Sequence, residues 1–232
     1  MIRAIFWDND GVLVDTERFY FEATRRVMAE AGVDLRPEQY VEFFMVQSIG
    51  AWHLAVERGV PREDIPVMKR KRNAVYSDLL ASSNVLIPGV DGVLMTLSGK
   101  YVMGVVTGSR REHFNLIHRS TGLLPFFDFV LAAEDYGRYK PDPEPCRIAL
   151  ERSGFPAGEC LAIEDSERGL TAAVAAGIRC VVIPGGTDQI PRRLRRSRSL
   201  LHNGFVHRLQ QAVQGIGFLQ KRIPLLADDF PL

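Results

Sequence analysis

Apolar positions along the chain follow two different rhythms. Short runs of strand length occur at residues 4–7, 101–106, 129–132, 160–163 and 180–183, and several stop abruptly in polar or glycine-containing segments. Consecutive apolar positions of this kind suit strands covered on both faces in a parallel sheet. Helical patterns lie between them at 110–121, 144–153 and 169–177. The last reads Gly-Leu-Thr-Ala-Ala-Val-Ala-Ala-Gly, a run of small residues able to pack closely on a sheet, with Gly177 as its stop. Strand–helix alternation predicts a doubly wound α/β domain.

Residues 17–84 break that rhythm. Phe19, Ala23, Val27, Met28 and Ala31 mark a helical period over 17–31 that Gly32 closes. Residues 37–44, 48–58 and 62–81 read as further helices, with Pro37 and Pro61 near their starts. A block of helices after a first strand predicts an all-α insertion, and Pro88-Gly89 marks the return to the α/β domain. The expected division is therefore a discontinuous core of residues 1–16 and 85–232 interrupted by a helical domain at 17–84. There is no internal repeat.

Composition narrows the function classes. The 232 residues carry 29 Lys+Arg against 28 Asp+Glu, a net +1, which argues against the chain-wide basic field of a nonspecific nucleic-acid binder. A chain of this length can bury a core without disulfides. Cys146, Cys160 and Cys180 are odd in number and widely spaced, so neither a disulfide framework nor a zinc knuckle is expected, and reduced thiols are. The apolar N-terminal run is too short for a signal-peptide core and ends on Asp8. No apolar stretch approaches the ~18 residues of a membrane span. A cytoplasmic protein is expected, a monomer or weak homodimer with neither nucleic acid nor membrane as partner. Two basic runs remain. Lys69-Arg70-Lys71-Arg72 reads as a solvated helix face, and the arginine-rich segment 192–198 as an exposed loop or helix.

The chemistry lies after the strands. Asp8-Asn9-Asp10-Gly11 follows the first, Thr107-Gly108-Ser109 the second and Glu164-Asp165-Ser166 the fourth, while Lys140-Pro141 comes in the loop after the third. In an open parallel sheet, ligands bind outside the carboxyl ends of the strands, so four segments deliver carboxylates, a hydroxyl and an ammonium to one crevice. This set suits phosphoryl transfer through an aspartyl phosphate. Attack on a phosphate dianion needs its charge offset by a hard divalent cation and a lysine. Asp8, the Asp10 carbonyl and Asp165 supply the oxygen ligands Mg2+ prefers, with Glu164 as a direct or water-mediated fourth. Asp10 could protonate the leaving oxygen and later deprotonate water. Thr107, the Gly108 and Ser109 amides and Lys140 could hold the phosphoryl oxygens.

These four segments resemble, in order, the motifs of the haloacid dehalogenase-like hydrolase superfamily. The stretch Asp8-Asn9-Asp10-Gly11-Val12-Leu13-Val14-Asp15-Thr16-Glu17 looks like the branch containing β-phosphoglucomutase and phosphoglycolate phosphatase-like enzymes. Lys140-Pro141-Asp142-Pro143 and the Ala-rich segment 169–177 support the same branch. The resemblance spans roughly residues 1–185. It implies a Rossmann-like three-layer core with a helical cap, Asp8 as nucleophile, Asp10 as acid/base, Thr107 and Lys140 as phosphate ligands, and Asp8, Asp10 and Asp165 as Mg2+ ligands assisted by Glu164. The implied substrate is a small phosphorylated metabolite, and hydrolysis of a sugar phosphate is the reading favoured.

Two departures shape that expectation. Asn9 stands where the branch usually has an apolar residue, its backbone amide still able to face phosphate while its side chain adds polarity beside the site. The cap stretch Met45-Val46-Gln47-Ser48-Ile49-Gly50-Ala51-Trp52 lacks the arginine usual in the mutases, leaving Gln47, Ser48, Trp52 and His53 as specificity candidates. A phosphomutase remains the alternative, followed by a non-catalytic phosphate-sensing regulator. Other readings fail on the residues themselves. Val12 and Leu13 occupy positions where a calcium loop needs an oxygen ligand and glycine, and Leu94 and Tyr101 break a phosphate-loop pattern around Gly99-Lys100. Cys160 reads as core.

Overall fold

The first strand made is the central one of the sheet. The structure is a computed structural model and describes residues 1–47 and 49–183. Five parallel strands, β1 (Ala4–Trp7), β2 (Val102–Val106), β3 (Phe129–Leu131), β4 (Cys160–Glu164) and β5 (Arg179–Val182), lie in the order β3-β2-β1-β4-β5. Trp7 pairs with Val105 on one side and Ile163 on the other, so the residues after β1, β2 and β4 emerge at one level.

Alternation along the strands separates two apolar layers. Ile5, Trp7, Met103, Val105, Leu161 and Ile163 face one side, where α5 (Val90–Leu97) adds Leu94 and Leu97 and α6 (Arg111–His118) adds Phe114 and Ile117. Ala4, Phe6, Val106, Cys160 and Ala162 face the other side. There α7 (Glu144–Ser153) contributes Cys146 and Ala149, and α8 (Glu167–Ala175) contributes Ala172 and Ala173. The result is the three-layer α/β arrangement anticipated from the runs. Large side chains such as Trp7, Phe114 and Leu94 are fully buried, each contributing roughly 1.5–3 kcal/mol.

The helical region after β1 has its own core. It comprises α1 (Glu17–Glu30), α2 (Pro37–Tyr40) running into a π-helical turn Val41–Val46, α3 (Trp52–Glu57) and α4 (Ile65–Ala81), with α1 and α4 packed together. Val27, Met28, Leu35, Tyr40, Ala51, Trp52 and Ala55 form an apolar cluster apart from the two sheet layers.

Several boundaries differ from the sequence reading. The helix expected over 37–44 is α only to Tyr40 and then widens into the π turn. That expected over 48–58 starts at Trp52, because Gly50 takes φ 74° and its position lies against the Trp52 ring. Helix α5 was not anticipated, since eight residues interrupted by Gly92 show too little periodicity. Helix α8 starts two residues earlier than read, at Glu167, where the Ser166 hydroxyl accepts the Gly169 N–H at 3.2 Å. Cys146 and Cys160 are buried free thiols and Cys180 is a half-buried one. No helix among the described residues is long and apolar enough to cross a membrane. The arginine-rich segment 192–198 lies outside the described residues.

Candidate active site

Strand register brings the motif residues to one rim. Asp8 follows β1 directly, and its N–H donates to the Ile163 carbonyl of β4 at 2.9 Å. Lys140 reaches in from the loop before α7. Its Nζ donates to Glu164 Oε1 at 2.7 Å, to the Val106 carbonyl at 2.7 Å and to Asp8 Oδ1 at 3.2 Å. The ammonium thus spans the ends of β1, β2 and β4. Arg168 of α8 donates to the Lys140 carbonyl, through Nε at 3.1 Å and also through Nη2, fixing the backbone from which the side chain extends.

The electrostatics of this trio follow from burial. Desolvation raises the Asp8 pKa, against the pull of Lys140, and the Asp10 charge raises it further. Desolvation also pushes Glu164 up to about 7, again opposed by Lys140. For Lys140 desolvation acts downward, but Asp8 and Glu164 outweigh it and hold the ammonium charged above its ordinary range. Glu164 Oε2 is buried without a hydrogen-bond partner among the described residues. Gly169 closes over it, for a Cβ there would stand 1.9 Å from that oxygen.

Asp10 is held differently. Its Oδ1 accepts from the Thr16 hydroxyl, and its Oδ2 accepts from Ser109 Oγ at 2.7 Å, Asn9 Nδ2 at 3.2 Å and Thr107 Oγ1 at 3.4 Å. The Ser109 N–H donates to Thr107 Oγ1 at 3.0 Å, and the Tyr136 hydroxyl holds the Thr107 carbonyl at 2.6 Å. Both polar groups of Ser109 are therefore engaged inside the protein in this state, although the sequence reading assigned its amide to phosphate. The Asn9 side chain is wholly buried, its Nδ2 on Asp10 and its Oδ1 2.8 Å from His118 Nε2.

The carboxylates suit a hard cation by chemistry more than by a finished cage. No three His, Cys, Asp or Glu side chains among the described residues converge as a metal cluster. Lys140 holds one oxygen each of Asp8 and Glu164 and hydroxyls hold the Asp10 carboxylate, while Glu164 Oε2 has no partner among the described residues. Asp165 lies tightly against the loop, since a Cβ at Gly11, which takes φ 80°, would stand 2.2 Å from its Oδ2. Only glycine allows that approach. Carboxylates and a carbonyl from the loops after β1 and β4 fit a small oxygen-seeking ion that keeps several waters.

A family model for the haloacid dehalogenase-like hydrolases matches residues 5–183, spanning all four motif segments and the helical region between the first two. The chain belongs to this family. Within it, the chain falls in the phosphoglycolate phosphatase and β-phosphoglucomutase-like branch and is a hydrolase of the phosphatase type. A fructose-1-phosphate phosphatase of Escherichia coli (strain K12) is 29% identical over 182 residues, covering 76% of this chain and 94% of the relative. A phosphorylated carbohydrates phosphatase of Thermotoga maritima is 29% identical over 183 residues, covering 76% and 82%. Among solved structures, CbbY from Rhodobacter sphaeroides in complex with xylulose-(1,5)bisphosphate superposes with a TM-score of 0.67 at 27% identity, covering 80% of this chain and 88% of that one.

This hydrolase also carries polar residues near the crevice that the sequence reading missed. Arg72 of α4 belongs to the run read as a solvated face, yet it is buried, with its guanidinium 4.1 Å from the Tyr20 ring centre and Nη1 unpartnered among the described residues. Tyr20 meets Tyr76 edge-on at 5.2 Å, and Tyr76 meets His113 of α6 at 5.0 Å. His113 is buried with Nε2 unpartnered, and desolvation lowers its pKa, keeping the ring neutral. A signal for Arg72 was present: with Tyr76 and Leu80 it forms the buried stripe of α4 at four-residue spacing. The other cap candidates are placed elsewhere. Gln47 is exposed and donates to Glu42, Trp52 belongs to the helical region's own core, and His53 packs edge-on against Phe43. Ser48 lies outside the described residues.

Proposed function

We propose that this hydrolase is a Mg2+-dependent phosphatase that cleaves a small phosphate monoester, a sugar phosphate, through an aspartyl phosphate on Asp8. The observation that carries the reading is the Lys140 ammonium bonded at once to Asp8 and Glu164 at the strand ends. It places fixed positive charge beside a buried carboxylate, as an attack on an anion requires.

Asp8, Asp165 and the Asp10 carbonyl would hold the cation, with Glu164 behind them. When bound, the cation would offset charge on the phosphoryl oxygens and on Asp8. Asp8 then attacks phosphorus, forming the acyl phosphate as the ester oxygen leaves. Asp10 gives that oxygen its proton, and afterwards takes one from the water that cleaves the aspartyl phosphate, restoring Asp8 and releasing phosphate. Thr107, the Gly108 and Ser109 amides and Lys140 bind the transferring group, Ser109 exchanging its internal bond for it. Asn9 contributes its backbone amide at the same loop.

Residues 17–84 act as the cap over the described part of the core, 1–16 and 85–183, and closure excludes water. Arg72 and His113 present their unpartnered nitrogens to the far end of the substrate. The free thiols fit a reducing, cytoplasmic setting. A panel of phosphate monoesters assayed with Mg2+ tests the reading. Phosphate release from a sugar phosphate, lost by more than about a thousandfold in Asp8→Asn, is the expected result. Full activity in that variant rules out the covalent route, and isomer formation without phosphate release replaces hydrolysis with mutase chemistry.

A further inference from the structure

The polar side chain between the two aspartates has no part in the chemistry just described, yet it is fully buried and bonded on both sides. Asn9 Nδ2 lies 3.2 Å from Asp10 Oδ2, and Asn9 Oδ1 lies 2.8 Å from His118 Nε2. Beyond the ring, His118 Nδ1 lies 2.8 Å from Thr121 Oγ1, which also accepts the Leu123 N–H at 3.4 Å. Donor and acceptor roles are fixed along this line. A carboxylate oxygen accepts, so Asn9 turns its amide nitrogen to Asp10 and its oxygen to His118. An amide oxygen also only accepts, so His118 carries its proton on Nε2. Desolvation lowers the ring to about 4, and it is neutral at physiological pH, which leaves Nδ1 to accept from the Thr121 hydroxyl.

We propose that Asn9, oriented by His118, is a positioning residue that holds the Asp10 carboxylate in place as the acid and base of the reaction. The proposal rests on the phosphatase reading above. Asp10 Oδ2 has two further donors, Ser109 Oγ and Thr107 Oγ1, of which Thr107 is assigned to the incoming phosphoryl group. The Asn9 amide is sealed from the crevice and has its direction set by a second buried residue. It remains on Asp10 Oδ2, beside the Ser109 hydroxyl, when the Thr107 hydroxyl is drawn away. Thr16 does the same for Oδ1, and together they fix the plane of the carboxyl group.

The test compares two classes of ester in single-turnover release of the leaving group, because an alkoxide needs its proton from Asp10 and a nitrophenolate leaves without one. Asn9→Leu keeps the volume and removes the donor. It should slow release from an alkyl phosphate by about tenfold, the worth of one hydrogen bond to a charged group, and release from p-nitrophenyl phosphate by only about twofold. His118→Leu should show the same split, and His118→Gln, which retains an N–H donor, should restore most of the loss. Equal slowing of both esters overturns the positioning role. So does a wild-type His118 whose ring nitrogens, read by 15N NMR, carry the proton on Nδ1, a measurement independent of whether the variants fold. Failure of the wild-type protein to release phosphate from any ester overturns the phosphatase reading instead, and this proposal with it.

Discussion

The strand-end rim and the helical junction above it solve the burial of charge in opposite ways. At the rim, Lys140 makes three bonds and neutralises the carboxylates that surround it. At the junction, Arg72 is at least as buried but lies on an aromatic ring with one nitrogen unpartnered among the described residues. At the rim the lysine is fully bonded and only Glu164 Oε2 is left without a partner among the described residues, so the positive charge is fixed in place. The junction leaves donors unused, which costs stability and is the condition for recognising something absent. On the proposed reading, chemistry is built into the sheet and selection into the packing of helices.

Three substitutions can break or sharpen this contrast. Lys140→Met should have the largest effect, leaving Asp8 and Glu164 buried together without a counter-charge. A loss of about 3–5 kcal/mol in urea unfolding at pH 8 is expected, with turnover abolished. Lys140 holds the Glu164 carboxyl down to about 7; without it that carboxyl lies higher and takes up a proton as pH falls, so the loss should be smaller at pH 6. A loss that does not change with pH would contradict the charge account.

The His118 ring gives the next effect. Its folded pKa, about 4, lies below the ordinary 6.5, so the unfolded chain binds the proton more readily. The neutral ring costs the fold nothing above pH 6.5, and stability falls as pH drops from 6.5 to 4, by about 3 kcal/mol in all. His118→Gln should flatten this part of the stability–pH curve. An unchanged slope would mean that other groups carry it.

Arg72→Met should have the smallest effect on the fold, within about 1 kcal/mol or slightly stabilising, since an incompletely bonded buried charge is exchanged for apolar volume. Its effect on kcat/KM should be about tenfold for an ester with a second anionic group and no more than about twofold for one without. Equal losses on both would remove Arg72 from substrate selection.

The same contrast governs what could be read without a structure. The rim was legible because each of its residues follows a strand at short range: Asp8 after 4–7, Thr107 after 102–106, Glu164 at the end of 160–164. Helix α7 was legible to the residue, with its acid and proline in the first turn and Gly154 beyond its end. The Arg72–Tyr20–Tyr76–His113 group was not, because its members come from α1, α4 and α6 and meet only when two helices of the insertion settle on one of the core. Composition also misled there, since three of the four residues in the basic run are exposed and one is not. The Asn9–His118 contact spans 109 residues, and no local pattern announces it.

The central place of β1 sets a timetable for synthesis. The segment Ala4–Trp7 leaves the ribosome first, but its partners begin at Val102 and Cys160. At about 5–20 residues per second, an apolar strand with two open edges waits several seconds for one neighbour and longer for the other. Asp8 at its end cannot meet Lys140 or Glu164 until nearly the whole described chain has been made. A nascent chain halted before residue 160 is thus both sticky and without its Glu164 partner for Lys140.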